Sequence, residues 1–149
     1  MMKSVWLLLL LVSSANACEY NLNGRVDYST YRDLTEVIEK CPNQQIVVNA
    51  NSWGGVAGPL LSMMDRINQH NRVVWVVEDE DTCASACAWM GIAASNIKGT
   101  LLFHHITRSD GRTTLDNYKL QVWLFQHRKY GFGLSQQLIT EKYVAIEFK

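Results

Sequence analysis

The chain has 149 residues, with 14 Lys+Arg balanced by 14 Asp+Glu and 48% hydrophobic residues, a length and composition that fit one domain with a single core. A charged fraction of 19% with ample aromatics excludes a disordered acidic or basic tail protein. The charge balance and a pI near 6.9 leave no electrostatic footprint for nucleic acid or an anionic membrane surface, so no nucleic-acid partner is expected.

Residues 1–17 read as a secretory signal peptide. Lys3 is the positive n-region, Val5 to Val12 is an apolar run with Trp6 and five leucines, and Ala15-Asn16-Ala17 is an A-x-A cleavage site. The run is shorter than the roughly 20 residues a bilayer span needs. The expected product is residues 18–149, secreted or periplasmic, touching membrane only through an uncleaved or lipidated N-terminus. Cys18 follows the cut and raises lipidation, but Ala15 stands where a lipoprotein signal usually carries Leu.

The four cysteines, Cys18, Cys41, Cys83 and Cys87, all lie beyond the cut. An even count in an oxidising compartment points to two disulfides, and proximity in sequence favours Cys18–Cys41 and Cys83–Cys87 over the other connectivities. Their spacing does not suit a zinc ribbon or finger, so a zinc site on the four thiolates is not expected.

Tyr20 to Val26 is the first predicted strand. Ser29 or Thr30 can cap a helix to Lys40 with Tyr31, Leu34, Val37 and Ile38 on one face, stopped by Cys41-Pro42-Asn43. Gln45 to Ala50, around Ile46-Val47-Val48, reads as a buried strand. The Gly-rich turn Asn51 to Gly55 follows, and Pro59 falls in the first turn of a helix ending near His70-Asn71. Arg72 to Val77 is a further buried strand, followed by the acidic run Glu78 to Asp81, which reads as a solvated loop. Thr82-Cys83-Ala84-Ser85-Ala86-Cys87 leads into an Ala-rich helix to Ala94. Thr100 to Phe103 is a strand ending at His104-His105. Thr113 to Tyr130 is a long helix, Gly131 to Gly133 breaks it, and Leu134 to Lys149 is helical or mixed. His70 and His127 read as surface helix residues, and Trp75, Trp89 and Trp123 as packing groups.

This alternation argues for an α/β domain, a mainly parallel sheet packed by helices, with chemistry at the carboxyl ends of the strands. Three motifs sit at such ends: the Gly54-Gly55 turn, Ser85 and His104. A serine nucleophile needs an exposed hydroxyl at a sharp turn, a base in reach, a group orienting the base, and backbone N–H donors for the oxyanion. The alanines at 84 and 86 permit a sharp turn at Ser85, and glycines at 54 and 55 let backbone N–H groups approach a carbonyl. The surroundings of Ser85 are not G-x-S-x-G, so an α/β-hydrolase is not indicated.

The order of these pieces resembles the Clp protease proteolytic subunit and its exported relatives in the ClpP/crotonase superfamily. Leu22-Asn23-Gly24-Arg25-Val26-Asp27 is similar to that family's L-x-G-x-V-x strand, and Val48 to Gly55 to its I-N-S-P-G-G turn, with Trp53 in place of Pro. Thr82-Cys83-Ala84-Ser85-Ala86 stands where the family has A-A-S-M, Leu102-Phe103-His104 where it has M-I-H, and Glu141 to Ala145 resembles D-R-F-L-S. The resemblance implies an exported serine peptidase acting on a peptide or protein substrate, with no metal or organic cofactor. Ser85 would be the nucleophile, His104 the general base, Glu141 the orienting acid, and the N–H groups of Gly55 and Ala86 the oxyanion donors. Asp110 and Asp116 are rival acids, and His105 rivals His104. The region after the histidine is shorter than in the barrel-forming protease, which argues against stacked rings while leaving a homo-oligomer open. Two other readings stand beside it: a catalytically inactive binding or scaffold protein of the same fold, and a thiol or metal protein centred on Cys83, Cys87 and His104.

Overall fold

Five short segments pair into one sheet, and in the central β-branched runs every second side chain is buried. The structure, a computed structural model, describes residues 18–107, 109–110, 112, 114–127, 137, 141 and 143–149. The predicted signal peptide at 1–17 and the Gly131 to Gly133 break lie outside the described residues. The elements are β1 (Cys18–Asn23), α1 (Tyr28–Lys40), β2 (Ile46–Asn51), α2 (Leu60–His70), β3 (Val73–Val76), α3 (Ala86–Ile92), β4 (Asn96–His104), α4 (Leu115–His127) and β5 (Tyr143–Phe148). The sheet runs β1-β2-β3-β4-β5 in sequence order. The first four strands are parallel, with Cys18 opposite Ile46, Ile46 opposite Val73, and Val74 opposite Asn96. β5 pairs antiparallel with β4, His104 opposite Tyr143.

One face of the sheet carries Leu22, Ile46, Val48, Ala50, Val73, Trp75, Leu101 and Phe103, all buried. Against them pack Leu34 of α1, Met64 and Ile67 of α2, and the wholly buried α3, whose Trp89 meets Phe103 edge to face at 5.2 Å. The opposite face, with Val47, Val74, Val76, Leu102 and His104, is half-buried. The continuous apolar runs therefore alternate in burial.

Several boundaries differ from those predicted. Asp27, not Ser29 or Thr30, caps α1: its carboxylate accepts the Thr30 N–H at 3.0 Å, and the Thr30 hydroxyl accepts the Asp27 N–H at 3.1 Å. This capping box satisfies donors that a helix start otherwise leaves unpaired. Bonds from the Ser29 side chain and the Thr30 backbone hold the Asp27 carboxyl below the usual carboxylate range. β4 begins at Asn96 because Gly99 (φ +106°) lets it press against Val77, where a Cβ would lie 2.1 Å from the Val77 carbonyl oxygen. The final segment supplies a strand, with Val144 buried and Tyr143 exposed. The acidic run Glu78 to Asp81 lies in the loop after β3, with Glu78, Asp79 and Glu80 exposed.

The face of α3 toward the sheet is made by the absence of a side chain. A Cβ on Gly91 would sit 2.8 Å from Trp75 Nε1 and 3.2 Å from Leu101 Cδ2, both in fully buried side chains. Gly91→Ala is expected to destabilise the domain by about 1–3 kcal/mol, the usual range for overpacking a core. Urea unfolding checks this, and a midpoint equal to wild type would show that α3 has room to shift.

Candidate active site

After β3 the chain leaves the sheet through the acidic loop and returns as a short extended segment. Ser52 N–H donates to Thr82 O at 2.6 Å, Ala84 N–H to Ser52 O at 2.9 Å, Leu102 N–H to Cys83 O at 2.9 Å, and Ser85 N–H to Leu102 O at 3.0 Å. These bonds wedge residues 82–85 between the end of β2 and the end of β4. The chain then turns at once into α3, with Ser85 at φ 57°, ψ −126°. A positive φ in a residue with a Cβ costs on the order of 1–3 kcal/mol and is kept only where the surroundings impose it. Ser85 makes no side-chain capping bond to α3, so it is not the plain N-cap that serine most often is at such a junction.

Gly54 makes the turn's fit possible. A Cβ there would lie 2.6 Å from Ser85 Cβ and 3.0 Å from Ser85 Oγ, at a φ of +98°. The Gly54 N–H donates to Ser52 Oγ at 3.1 Å, and the Gly54 carbonyl accepts the Val26 N–H at 2.9 Å. Gly55 runs against Val26, whose carbonyl oxygen a Cβ on Gly55 would approach to 2.1 Å. Among the described residues no acceptor is bonded to the N–H of Gly55 or of Ala86. Two unengaged N–H groups thus belong to the turns on either side of the Ser85 hydroxyl.

Tyr31 and Ser52 hold this turn from behind. The Tyr31 hydroxyl, carried on α1, donates to the Val56 carbonyl at 2.6 Å, and Val56 N–H donates to Val26 O at 2.8 Å. Burial pushes the Tyr31 hydroxyl above the ordinary phenol range, so it remains a donor. Sequence reasoning gave Tyr31 only a place on the buried helix face. Ser52 carried a signal, since a serine two residues before a glycine can accept a local backbone N–H.

His104 ends β4 on the same sheet face as Leu102, the residue that accepts the Ser85 N–H. Its Nδ1 lies 2.8 Å from the His105 carbonyl oxygen. A carbonyl can only accept, so this contact is favourable with the proton on Nδ1 and a lone pair on Nε2. The next turn is tied down in its own right: Ile106 N–H donates to the buried Asn117 Oδ1 at 3.1 Å, and Thr114 N–H to Ile106 O at 3.0 Å. Tyr143 faces His104 across the ladder with ring centroids 6.2 Å apart. A cavity of about 480 Å³ opens beside these groups, lined by Trp53, Ala84, Leu102, His104, Tyr143 and Ala145.

The other sequence candidates separate. Among the described residues no hydrogen bond joins Ser85 Oγ to His104, and none joins Glu141 to His104. Glu141 is exposed just before β5, with its N–H on Gln137 O at 2.7 Å. Asp110 Oδ1 accepts the Arg112 N–H at 3.0 Å, so its carboxylate serves its own loop. Asp116 is exposed in the first turn of α4. His105 lies beyond the end of β4. Cys18–Cys41 and Cys83–Cys87 are both disulfides, which occupies the four sulfurs a thiol or zinc reading would need. His127 is more than a surface residue: its ring stacks on Trp123 at 4.0 Å, while Trp123 Nε1 donates to Asp65 Oδ1 at 2.7 Å and so fastens α4 to α2.

No family model matches the chain, and no curated protein does. Solved structures do. A serine-to-alanine mutant of the 1510-N membrane-bound stomatin-specific protease superposes with a TM-score of 0.59 at 15% identity, over 88% of this chain and 73% of that one. A lysine-to-alanine mutant of the same protease, in complex with a substrate peptide, gives 0.63 at 18% identity over 88% and 69%. A mutant of ClpP1 from Listeria monocytogenes gives 0.64 at 14% identity over 89% and 84%. The chain has a ClpP-like fold.

The conformation of Ser85 has a thermodynamic signature independent of activity. Ser85→Gly removes the Cβ that makes a positive φ costly, whereas Ser85→Ala keeps it. After allowing for the larger unfolded-state entropy of glycine, Ser85→Gly is expected to be about 1 kcal/mol more stable than Ser85→Ala. Chemical denaturation of the two variants tests this, and the reverse order would mean that the turn is relaxed.

Proposed function

We propose that the protein is an exported serine peptidase. The observation that carries the reading is the backbone of Ser85, held at positive φ between Gly54 and the start of α3, with the N–H groups of Gly55 and Ala86 unengaged among the described residues. In this reading Ser85 Oγ attacks a peptide carbonyl carbon as His104 Nε2 takes its proton, and the oxyanion receives the N–H groups of Gly55 and Ala86. The imidazolium then protonates the leaving amine. Water, deprotonated by the same nitrogen, releases the acyl group from Ser85. The His105 carbonyl supplies the bond that orients His104 in the free protein, and Glu141 is the acid assigned to that role once substrate is bound. Catalytic hydrogen bonds are often unformed before substrate arrives. The cavity walled by Trp53, Leu102 and Tyr143 suits an apolar substrate side chain.

Export rests on the sequence of residues 1–17 and gains support from the two disulfides, which persist in oxidising compartments. No helix of the described residues is long and apolar enough to cross a membrane. The Cys18–Cys41 disulfide also speaks against a lipid on Cys18, because one sulfur cannot carry both. The mature chain is expected to begin at Cys18 with that disulfide closed. Intact-mass measurement of secreted material checks both points, and a retained leader or a diacylglyceryl adduct would refute them.

A second reading, a binding or scaffold protein without catalysis, draws on the missing Ser85–His104 and Glu141–His104 bonds. Labelling with a fluorophosphonate separates the two. A peptidase is expected to be labelled at Ser85, to lose all labelling in Ser85→Ala, and to lose at least about a thousandfold of its peptide hydrolysis in His104→Ala. Glu141→Gln is expected to cost less than His104→Ala. An oxidised wild-type chain that takes no label at Ser85 would leave the scaffold reading standing.

A further inference from the structure

The Cys83–Cys87 disulfide spans the proposed nucleophile, with its Cα atoms 5.2 Å apart. Cys83 belongs to the extended segment bridged to Ser52, and Cys87 is the second residue of α3. The ring they close holds only Ala84, Ser85 and Ala86. Those three have no large side chain whose packing could fix the backbone. Besides the sheet bonds already described, this turn is closed by Cys87 N–H donating to Ala84 O at 3.2 Å. A positive φ at Ser85 therefore has one covalent restraint, and it runs from the strand end to the first turn of the helix.

We infer that this disulfide is the positioning element for Ser85, and that the chain is competent for acyl transfer only in its oxidised form. The inference rests on the serine-peptidase reading. Closing the bond takes two thiols to one disulfide: both lose their protons, and the electron pair passes by thiol–disulfide exchange to an oxidising protein disulfide, which leaves as a dithiol. A chain made in a reducing compartment would carry the turn without its covalent restraint until it met such an oxidant. Both sulfurs belong to fully buried residues, and the Trp75 indole N–H points at Cys83 Sγ from 3.4 Å. Once closed, the bond is shielded from external thiols. The device is thus an activation that accompanies folding after export, not a switch that ambient thiols reverse.

The test compares two double variants and one redox series. Cys83→Ala with Cys87→Ala is expected to lower kcat and the rate of fluorophosphonate labelling about a hundredfold, with KM changed little, as for a misplaced reacting group. Cys18→Ala with Cys41→Ala, remote from the turn, is expected to stay within about twofold of wild type. Should the first variant not fold, wild-type chain is refolded in glutathione buffers, pulsed with fluorophosphonate and then alkylated. Molecules that retain Cys18–Cys41 are digested, and the peptide carrying Cys83, Ser85 and Cys87 is weighed. Label on Ser85 is expected on peptides with the disulfide closed and about a hundredfold less often on those with two alkyl groups. Equal labelling of both, or an unimpaired Cys83→Ala/Cys87→Ala variant, overturns the inference while leaving the peptidase reading intact. A fully oxidised chain without label at Ser85 overturns both.

Discussion

Everything in the candidate site depends on one pairing, the bridge between Ala84 and Leu102 with the Ser85 N–H on the Leu102 carbonyl. It extends the parallel sheet beyond the end of β3 and ties the turn that carries a hydroxyl to the strand that ends in an imidazole. It keeps residues 82–85 in line with the sheet, and together with the Cys83–Cys87 link it surrounds Ser85 with restraints that hold a costly φ. The same segment is gripped from its other edge by Ser52, whose hydroxyl also receives the Gly54 N–H. One buried serine thereby couples the glycine turn to the segment that presents Ser85.

The sheet order has a consequence for where chemistry can occur. Strands that follow one another in sequence order contain no reversal point, so the crevice that serves many open α/β sheets as a binding site is missing. The cavity lies instead over the β4–β5 ladder, on the sheet face opposite the packed helices, where His104 and Tyr143 stand side by side. The antiparallel β5 is what builds that wall. Helices pack the other face from Leu34 to Trp89, and they leave this one to Val47, Val74, Val76, Leu102 and His104, with Tyr143 exposed beside them.

Much of this was legible in the residues. β-branched runs announced β2 and β3, the apolar spacing of Tyr31 and Leu34 announced α1, and cysteine proximity gave both disulfide pairs. The small residues around Ser85 signalled a sharp turn but not its φ, because one of its restraints, the Leu102 carbonyl, lies seventeen residues further on and is unreadable locally. β5 escaped because Tyr143-Val144-Ala145-Ile146 is nearly uniform in polarity, and only pairing with β4 decides that Val144 faces inward. The start of β4 escaped because Asn96, Lys98 and Gly99 are poor strand formers that β3 nevertheless recruits. Asp27 was passed over as a cap because Ser29 and Thr30 follow it, and the choice among adjacent capping residues is made by where β1 releases the chain. The Asp65–Trp123–His127 contact joins helices far apart in sequence and had no local sign.

The Trp75 indole ties the core to the segment that carries Ser85. It packs in the core with its N–H on Cys83 Sγ, one partner of the bond that spans Ser85 along the chain. A change at position 75, deep in the sheet, would therefore be felt at the serine turn through sulfur rather than through the backbone ladder.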